Sequence, residues 1–158
     1  MHGGELNATL RDICAEGGGK DARFLLAHGA DANHYGMNDG RVLWHAARNG
    51  NLSVVEALVD AGAGELGSAL VLAAGRGHTA LVALLLDRGA DVHSSDDWPL
   101  FCAAYHGHLE TATFLLDRGA DPNVQHILLG TALSVSRENG HHEMVALLLA
   151  RGAIDDAA

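Results

Sequence analysis

The sequence predicts an all-α solenoid, a row of short antiparallel helix pairs stacked side by side. Two observations predict it. A Gly-Ala turn recurs at Gly29-Ala30, Gly62-Ala63, Gly89-Ala90, Gly119-Ala120 and Gly152-Ala153, with a second glycine twelve residues earlier each time: Gly17, Gly50, Gly77, Gly107 and Gly140. A leucine stands seven residues further back in every copy, at Leu10, Leu43, Leu70, Leu100 and Leu133. Five matches at three fixed offsets are the mark of an internal repeat. The composition agrees, because a chain that is 48% hydrophobic but only 4% aromatic must pack with small aliphatic side chains, which suits close-packed helices.

The chain then reads as one domain, residues 1–158, with units at about 8–40, 41–67, 68–97, 98–130 and 131–158. In the first unit Cys14 occupies a position that calls for a small buried residue, and Gly17 supplies the turn. The run Gly17-Gly18-Gly19-Lys20 lacks the length and the Ser/Thr of a phosphate loop. In the second, Leu43, Ala46 and Ala47 fall at i, i+3 and i+4 and form the buried stripe of a helix that Gly50 ends. Its second helix buries Val54, Val55, Leu58 and Val59. The third unit repeats the arrangement with Leu70, then Leu81, Val82, Leu84, Leu85 and Leu86. The third, fourth and fifth second helices close on a cation before glycine, Arg88-Gly89, Arg118-Gly119 and Arg151-Gly152. A positive charge complements the negative helix end, and glycine accepts the left-handed cap.

These residues resemble the ankyrin repeat, whose usual form is T-P-L-H-x-A-A-x-x-G-H, a Leu-rich helix, then G-A-D. The matching stretches include Leu70-Val71-Leu72-Ala73-Ala74, Ala103-Ala104, Gly77-His78, Gly107-His108-Leu109-Glu110, Gly140-His141 and Gly119-Ala120-Asp121-Pro122-Asn123. The resemblance spans about residues 7–155. It implies a concave groove lined by the first helices, hairpin fingers between units, and a Gly-His histidine that braces the inter-helix turn.

The departures point to function. The Thr-Pro-Leu-His opening is degraded in every copy: Ala8-Thr9-Leu10-Arg11, Arg41-Val42-Leu43-Trp44, Ser68-Ala69-Leu70-Val71, Trp98-Pro99-Leu100-Phe101 and Thr131-Ala132-Leu133-Ser134. Thr131 alone keeps the usual threonine, so caps worth ~1 kcal/mol each are given up elsewhere. Aromatics Trp44, Trp98 and Phe101 enter instead. Twelve residues separate the turn glycine from the next unit after Gly29 and Gly119, but only six after Gly62 (to Ser68) and nine after Gly89 (to Trp98). The central fingers are thus trimmed. One full-length finger carries Tyr35 and Met37, and the other has the apolar tip His126-Ile127-Leu128-Leu129.

With Leu43, Ala46 and Ala47 buried, His45, Arg48 and Asn49 share the groove side. The same offsets give Asp12, Ala15 and Glu16; Leu72, Gly75 and Arg76; Cys102, Tyr105 and His106; Val135, Glu138 and Asn139. The expected binding surface is therefore Trp44 and Trp98 with Phe101 at its rim. His45, Arg48, Arg76, Tyr105 and His106 lie in the groove, and Ile127 and Leu128 at the finger tip. The bland reading is that the aromatics only replace lost finger packing.

A formal charge of −10 sets nucleic acid and anionic membrane aside and favours a basic protein partner. No apolar run reaches the ~20 residues of a membrane span. Two cysteines make no disulfide framework, and the opening MHGGELNATLRD lacks the regions of a secretion signal, so a cytoplasmic setting is expected. The leading expectation is a protein-recognition module without cofactor. The alternative is a small-molecule site or a metal-free acid/base enzyme. There His45 and His106 act as acid or base, Tyr105 donates a proton, Cys102 attacks and Asp12 orients His45. No fixed-spacing motif supports that set. No metal is expected either, since His108 and His141 fill the ordinary Gly-His position and further ligands at structural-zinc spacing are missing. Eleven histidines also open the way to pH control of partner binding.

Overall fold

The computed structural model describes residues 3–35 and 41–155. Met37, on the first finger, lies outside the described residues. Among the described residues ten helices follow in pairs: α1 (Gly3–Glu16) with α2 (Gly19–Ala27), α3 (Val42–Arg48) with α4 (Leu52–Asp60), and α5 (Leu66–Gly75) with α6 (Thr79–Asp87). Then come α7 (Ser94–Tyr105) with α8 (Leu109–Asp117), and α9 (Ala132–Glu138) with α10 (His142–Ala150). Each first helix packs on the first helix of the next pair, from α1 on α3 to α7 on α9, and the second helices form a parallel row. Helices of this length do not persist alone in water, so each depends on its neighbours for burial.

The repeated leucines form the spine of the core. Leu10, Leu43, Leu70, Leu100 and Leu133 are at most 2% exposed. Ala46-Ala47, Ala73-Ala74 and Ala103-Ala104 are fully buried and let adjacent first helices approach closely. In the fifth repeat Ser136 takes an alanine position, and its hydroxyl donates to the Ala132 carbonyl at 2.7 Å.

Polar contacts fix the register between repeats. His78 Nε2 donates to the Arg48 carbonyl at 3.3 Å, His108 Nε2 to Gly75 at 3.1 Å, and His141 Nε2 to Tyr105 at 3.2 Å. In each case the acceptor lies two residues before the turn glycine of the preceding repeat. The imidazole sits where that glycine has no side chain. A Cβ on Gly50, Gly77 or Gly107 would lie 2.7 Å from the ring of His78, His108 or His141 respectively. Those glycines also hold φ between +71° and +74°, a region costly for other residues. Repeat two has Asn51 in place of the histidine, and its Nδ2 reaches the Cys14 carbonyl at 2.9 Å.

A second ladder runs along the outer helices. Arg88, Arg118 and Arg151 pair with Asp60, Asp87 and Asp117 of the repeat before, the last two at 3.1 and 2.8 Å. Exposed pairs of this kind contribute ~0–1 kcal/mol each, so they set alignment more than stability. A third rung joins the finger bases. The Asn33 side chain bonds the Gly62 carbonyl and the Gly64 N–H, and Asn123 does the same with Gly152 and Ile154.

The fingers differ from expectation in the centre. Helix α5 begins at Leu66 rather than at Ser68, because Glu65 takes a left-handed conformation (φ 60°) and turns the chain straight into the helix. In α7, Ser95, Asp96 and Asp97 are all left-handed, and regular helix resumes at Trp98. Such residues cost on the order of 1–2 kcal/mol each. The Asp97 carboxylate offsets part of this by accepting from His93 Nδ1 at 2.9 Å and from the Asp121 N–H at 3.0 Å. Pro99 lies in the first regular turn, where its missing N–H does no harm. The last finger is a hairpin, β1 (Gln125–His126) antiparallel to β2 (Gly130–Thr131). The first is closed by a bridge between Tyr35 and Arg41. Capping follows the sequence: among α2 to α10, only Thr131 accepts a side-chain cap bond, from the Ser134 N–H at 3.1 Å.

Two predictions follow from these rungs. Gly107→Ala and Gly119→Ala both place alanine at positive φ, but only Gly107 faces a ring; the Cβ at Gly119 meets open space. Urea unfolding should show Gly119→Ala losing ~1–2 kcal/mol, and Gly107→Ala losing a further ~1–3 kcal/mol to overpacking. The second concerns pH. The Asp97 carboxylate raises the His93 pKa, so this contact stabilises the fold below about pH 6.5 and is lost as pH rises through the folded value. Burial lowers the His108 pKa, so stability is lost as pH falls below about 6.5. Relative to the unmodified chain, His93→Gln should therefore be more destabilised at pH 5.5 than at pH 7.5, and His108→Gln less.

Candidate functional site

The concave face carries a cavity of about 650 Å³ between α5 and α7. Leu72 and Val71 form one side, Trp98 and Cys102 the other, and Arg76 and His106 stand at its polar end. A smaller cavity of about 240 Å³ adjoins it, lined by Trp44, Ser68 and Ser95 and sharing Val71, Leu72 and Trp98. Together they make one trough running from Trp44 to His106.

Gly75 lines the trough, and a Cβ there would stand 3.3 Å from Cys102 Cβ. The equivalent residue two before the turn glycine is Arg48 in repeat two and Tyr105 in repeat four, and Gly75 puts no side chain there. The Trp98 wall is held from behind. Its ring stacks on Phe101 with centroids 5.1 Å apart and a 13° interplanar angle, and His126 of the last finger lies 4.7 Å away. Phe101 is 2% exposed, so it supports the wall from the core and does not face the groove.

The polar groups are oriented by backbone. His106 Nδ1 donates to the Cys102 carbonyl at 2.9 Å, which leaves Nε2 as its free nitrogen. His108, which also lines the cavity, stacks on His106 at 5.9 Å, and burial lowers its pKa. Arg76 is exposed and makes no ion pair among the described residues, whereas Arg11, Arg23, Arg41, Arg88, Arg118, Arg137 and Arg151 are each paired with a carboxylate.

A family model described as ankyrin repeats (3 copies) matches residues 43–126, more than half of the chain and the stretch that forms the trough. The chain belongs to the ankyrin-repeat family. No curated protein matches it. Ankyrin repeats are generally protein-interaction modules. The helical layers place repeats one and five in the same stack, on either side of the matched ankyrin copies.

The ankyrin groove gathers Trp44, Trp98, Arg76, Cys102 and His106 around one trough. Other expected site residues lie elsewhere. His45 is half-buried beside Trp44 and lines neither cavity. The buried Trp44 Nε1 and His45 Nε2 find no hydrogen bond among the described residues. Arg48 is exposed, and its carbonyl serves the His78 rung. Tyr105 is 39% exposed and edges against His106 at 5.0 Å. Ile127 and Leu128 stand clear of the groove at the hairpin tip, 92% and 84% exposed.

The acid–base set does not assemble. Asp12 is engaged by Arg11 at 3.0 Å and makes no bond to His45. Burial pushes the Cys102 thiol up to about 11 and that of Cys14 to about 12, so neither is a ready nucleophile. Among the described residues no three His, Cys, Asp or Glu side chains converge on a metal-sized space. None of their helices is long and apolar enough to cross a membrane.

Sequence reasoning missed Val71, Ser68, Ser95 and His108 as lining residues. Gly75 was the available signal, since a glycine on a groove-facing helix position announces a gap.

At pH 8 a thiol with a pKa near 11 is about one part in a thousand thiolate. Ellman's reagent should therefore label the folded protein far more slowly than an exposed thiol and capture both cysteines at once in urea. Rapid labelling of one thiol in the native state would contradict the burial described.

Proposed function

We infer that this ankyrin domain is a protein-recognition module that engages a basic partner through its groove and the tip of its last finger. The observation that carries the reading is the tip itself. Ile127 and Leu128 are almost wholly exposed on a tight hairpin, while the other large aliphatic side chains of the repeats are mostly packed inside. Exposed apolar side chains on a rigid projection suit insertion into a partner's pocket. The tip is tied to the groove through His126, which packs against both Trp98 and Phe101, so one partner contacting both surfaces meets a continuous face. Acidic residues complement a basic partner: the formal charge is −10, and Asp31, Asp91, Asp96 and Asp121 crowd the exposed finger bases. Two free cysteines, Cys14 and Cys102, fit a reducing cytoplasmic setting.

Ile127→Asp and Leu128→Asp together test the reading. Both sites are solvent-exposed, so stability should change by no more than ~0.5 kcal/mol. The unmodified domain, immobilised and exposed to host lysate, should retain a basic protein that salt weakens. The double variant should lose it. Retention of the same protein by both chains, or of nothing by either, would overturn the proposal.

A further inference from the structure

The trough between α5 and α7 has a chemistry of its own, separate from the finger tip. Its volume lies within the ~300–1,000 Å³ typical of small-ligand sites. One side is flat and apolar: the Trp98 ring, fixed by Phe101 and His126, lines the cavity with Leu72 and Val71. The other end is cationic. Arg76 offers an unpaired guanidinium fork, and His106 and His108 beside it contribute no negative charge. No Asp or Glu lines the cavity.

Among the described residues Arg48 and Arg76 are the arginines without an ion pair, and of the two only Arg76 lines the cavity. Carboxylates outnumber Lys and Arg by 20 to 10, and most arginines are paired on the outer helices or finger bases. At Arg76 no carboxylate forms an ion pair among the described residues. A guanidinium fork recognises a planar carboxylate bidentately, and a tryptophan face recognises a flat ring. The summed charge decides the size of the ligand. An acidic macromolecule would be repelled by a surface of charge −10, whereas a small monoanion feels chiefly the local cation.

We propose that this cavity binds a small aromatic carboxylate, its ring against Trp98 and its carboxylate on the Arg76 guanidinium. The adjoining space between Trp44 and Trp98 accommodates an apolar extension of the ring. This ligand site does not rest on the partner reading, although the proposed partner surface includes the same groove.

The test is titration of 2-naphthoate into isotopically labelled protein, followed through the two tryptophan indole N–H signals and the arginine Nε–H signals. Saturable shifts are expected at Trp98 and Arg76. Losing a charged hydrogen bond should weaken binding about tenfold or more, both for Arg76→Leu and for the neutral probe 2-naphthamide with the unmodified chain. Arg76 is exposed, so the variant should melt at the unmodified temperature. Ile127→Asp with Leu128→Asp should leave naphthoate affinity unchanged, which keeps failure here distinct from failure of the partner reading. The absence of saturable shifts at millimolar probe, or equal affinity in Arg76→Leu, would overturn the proposal.

Discussion

The stack depends on a ring entering a space that only glycine leaves open. In three successive junctions a histidine lies over the turn glycine of the repeat before and donates to a carbonyl two residues upstream of it. Apolar burial drives the helices together, but burial is not directional and would tolerate sliding along smooth Leu and Ala faces. The imidazole bond does not tolerate it. A shift of one residue would drive the ring into a side chain and leave the carbonyl unpaired. Each junction thereby fixes the next, and the arginine–aspartate pairs on the outer row and the asparagine clamps at the finger bases repeat the same spacing.

A rigid register makes departures consequential. Equivalent positions on successive first helices line up on one surface, so changing a single residue in the pattern changes that surface at a known place. Gly75 lines the cavity without a side chain; the same position in its neighbours holds Arg48 and Tyr105. The left-handed run Ser95-Asp96-Asp97 shortens the finger and lets Trp98 start the helix at the rim of that cavity. The last finger, by contrast, keeps its full hairpin. It serves two ends at once, with His126 bracing Trp98 and the tip held out in solvent.

Most of the fold was legible because it is periodic. The leucine and glycine offsets placed the helix pairs, and the lone Thr131 cap followed from composition at the unit openings. The central fingers were only partly legible: their shortness showed in the spacing, but absorption of one into α5 rests on the left-handed turn at Glu65, which glutamate seldom makes. At the groove, helical offsets located Arg76, Cys102 and His106. They misplaced Phe101, because aromatics at a helix start face either way and this one is drawn into the core behind Trp98. They also joined His45 to Asp12. That pairing needed Asp12 free, and an adjacent arginine, local in sequence and always charged, captures it.

A double-mutant cycle between Gly77 and His108 measures how far ring and glycine are complementary. Gly77→Ala brings a Cβ to 2.7 Å from the imidazole in the unmodified chain. Once His108→Ala has removed the ring, only the backbone strain of the alanine remains. Gly77→Ala should cost more with His108 present than without it, by about 1 kcal/mol or more. Equal costs in the two backgrounds would show that the ring does not need the glycine, and the register would have to be set by something else.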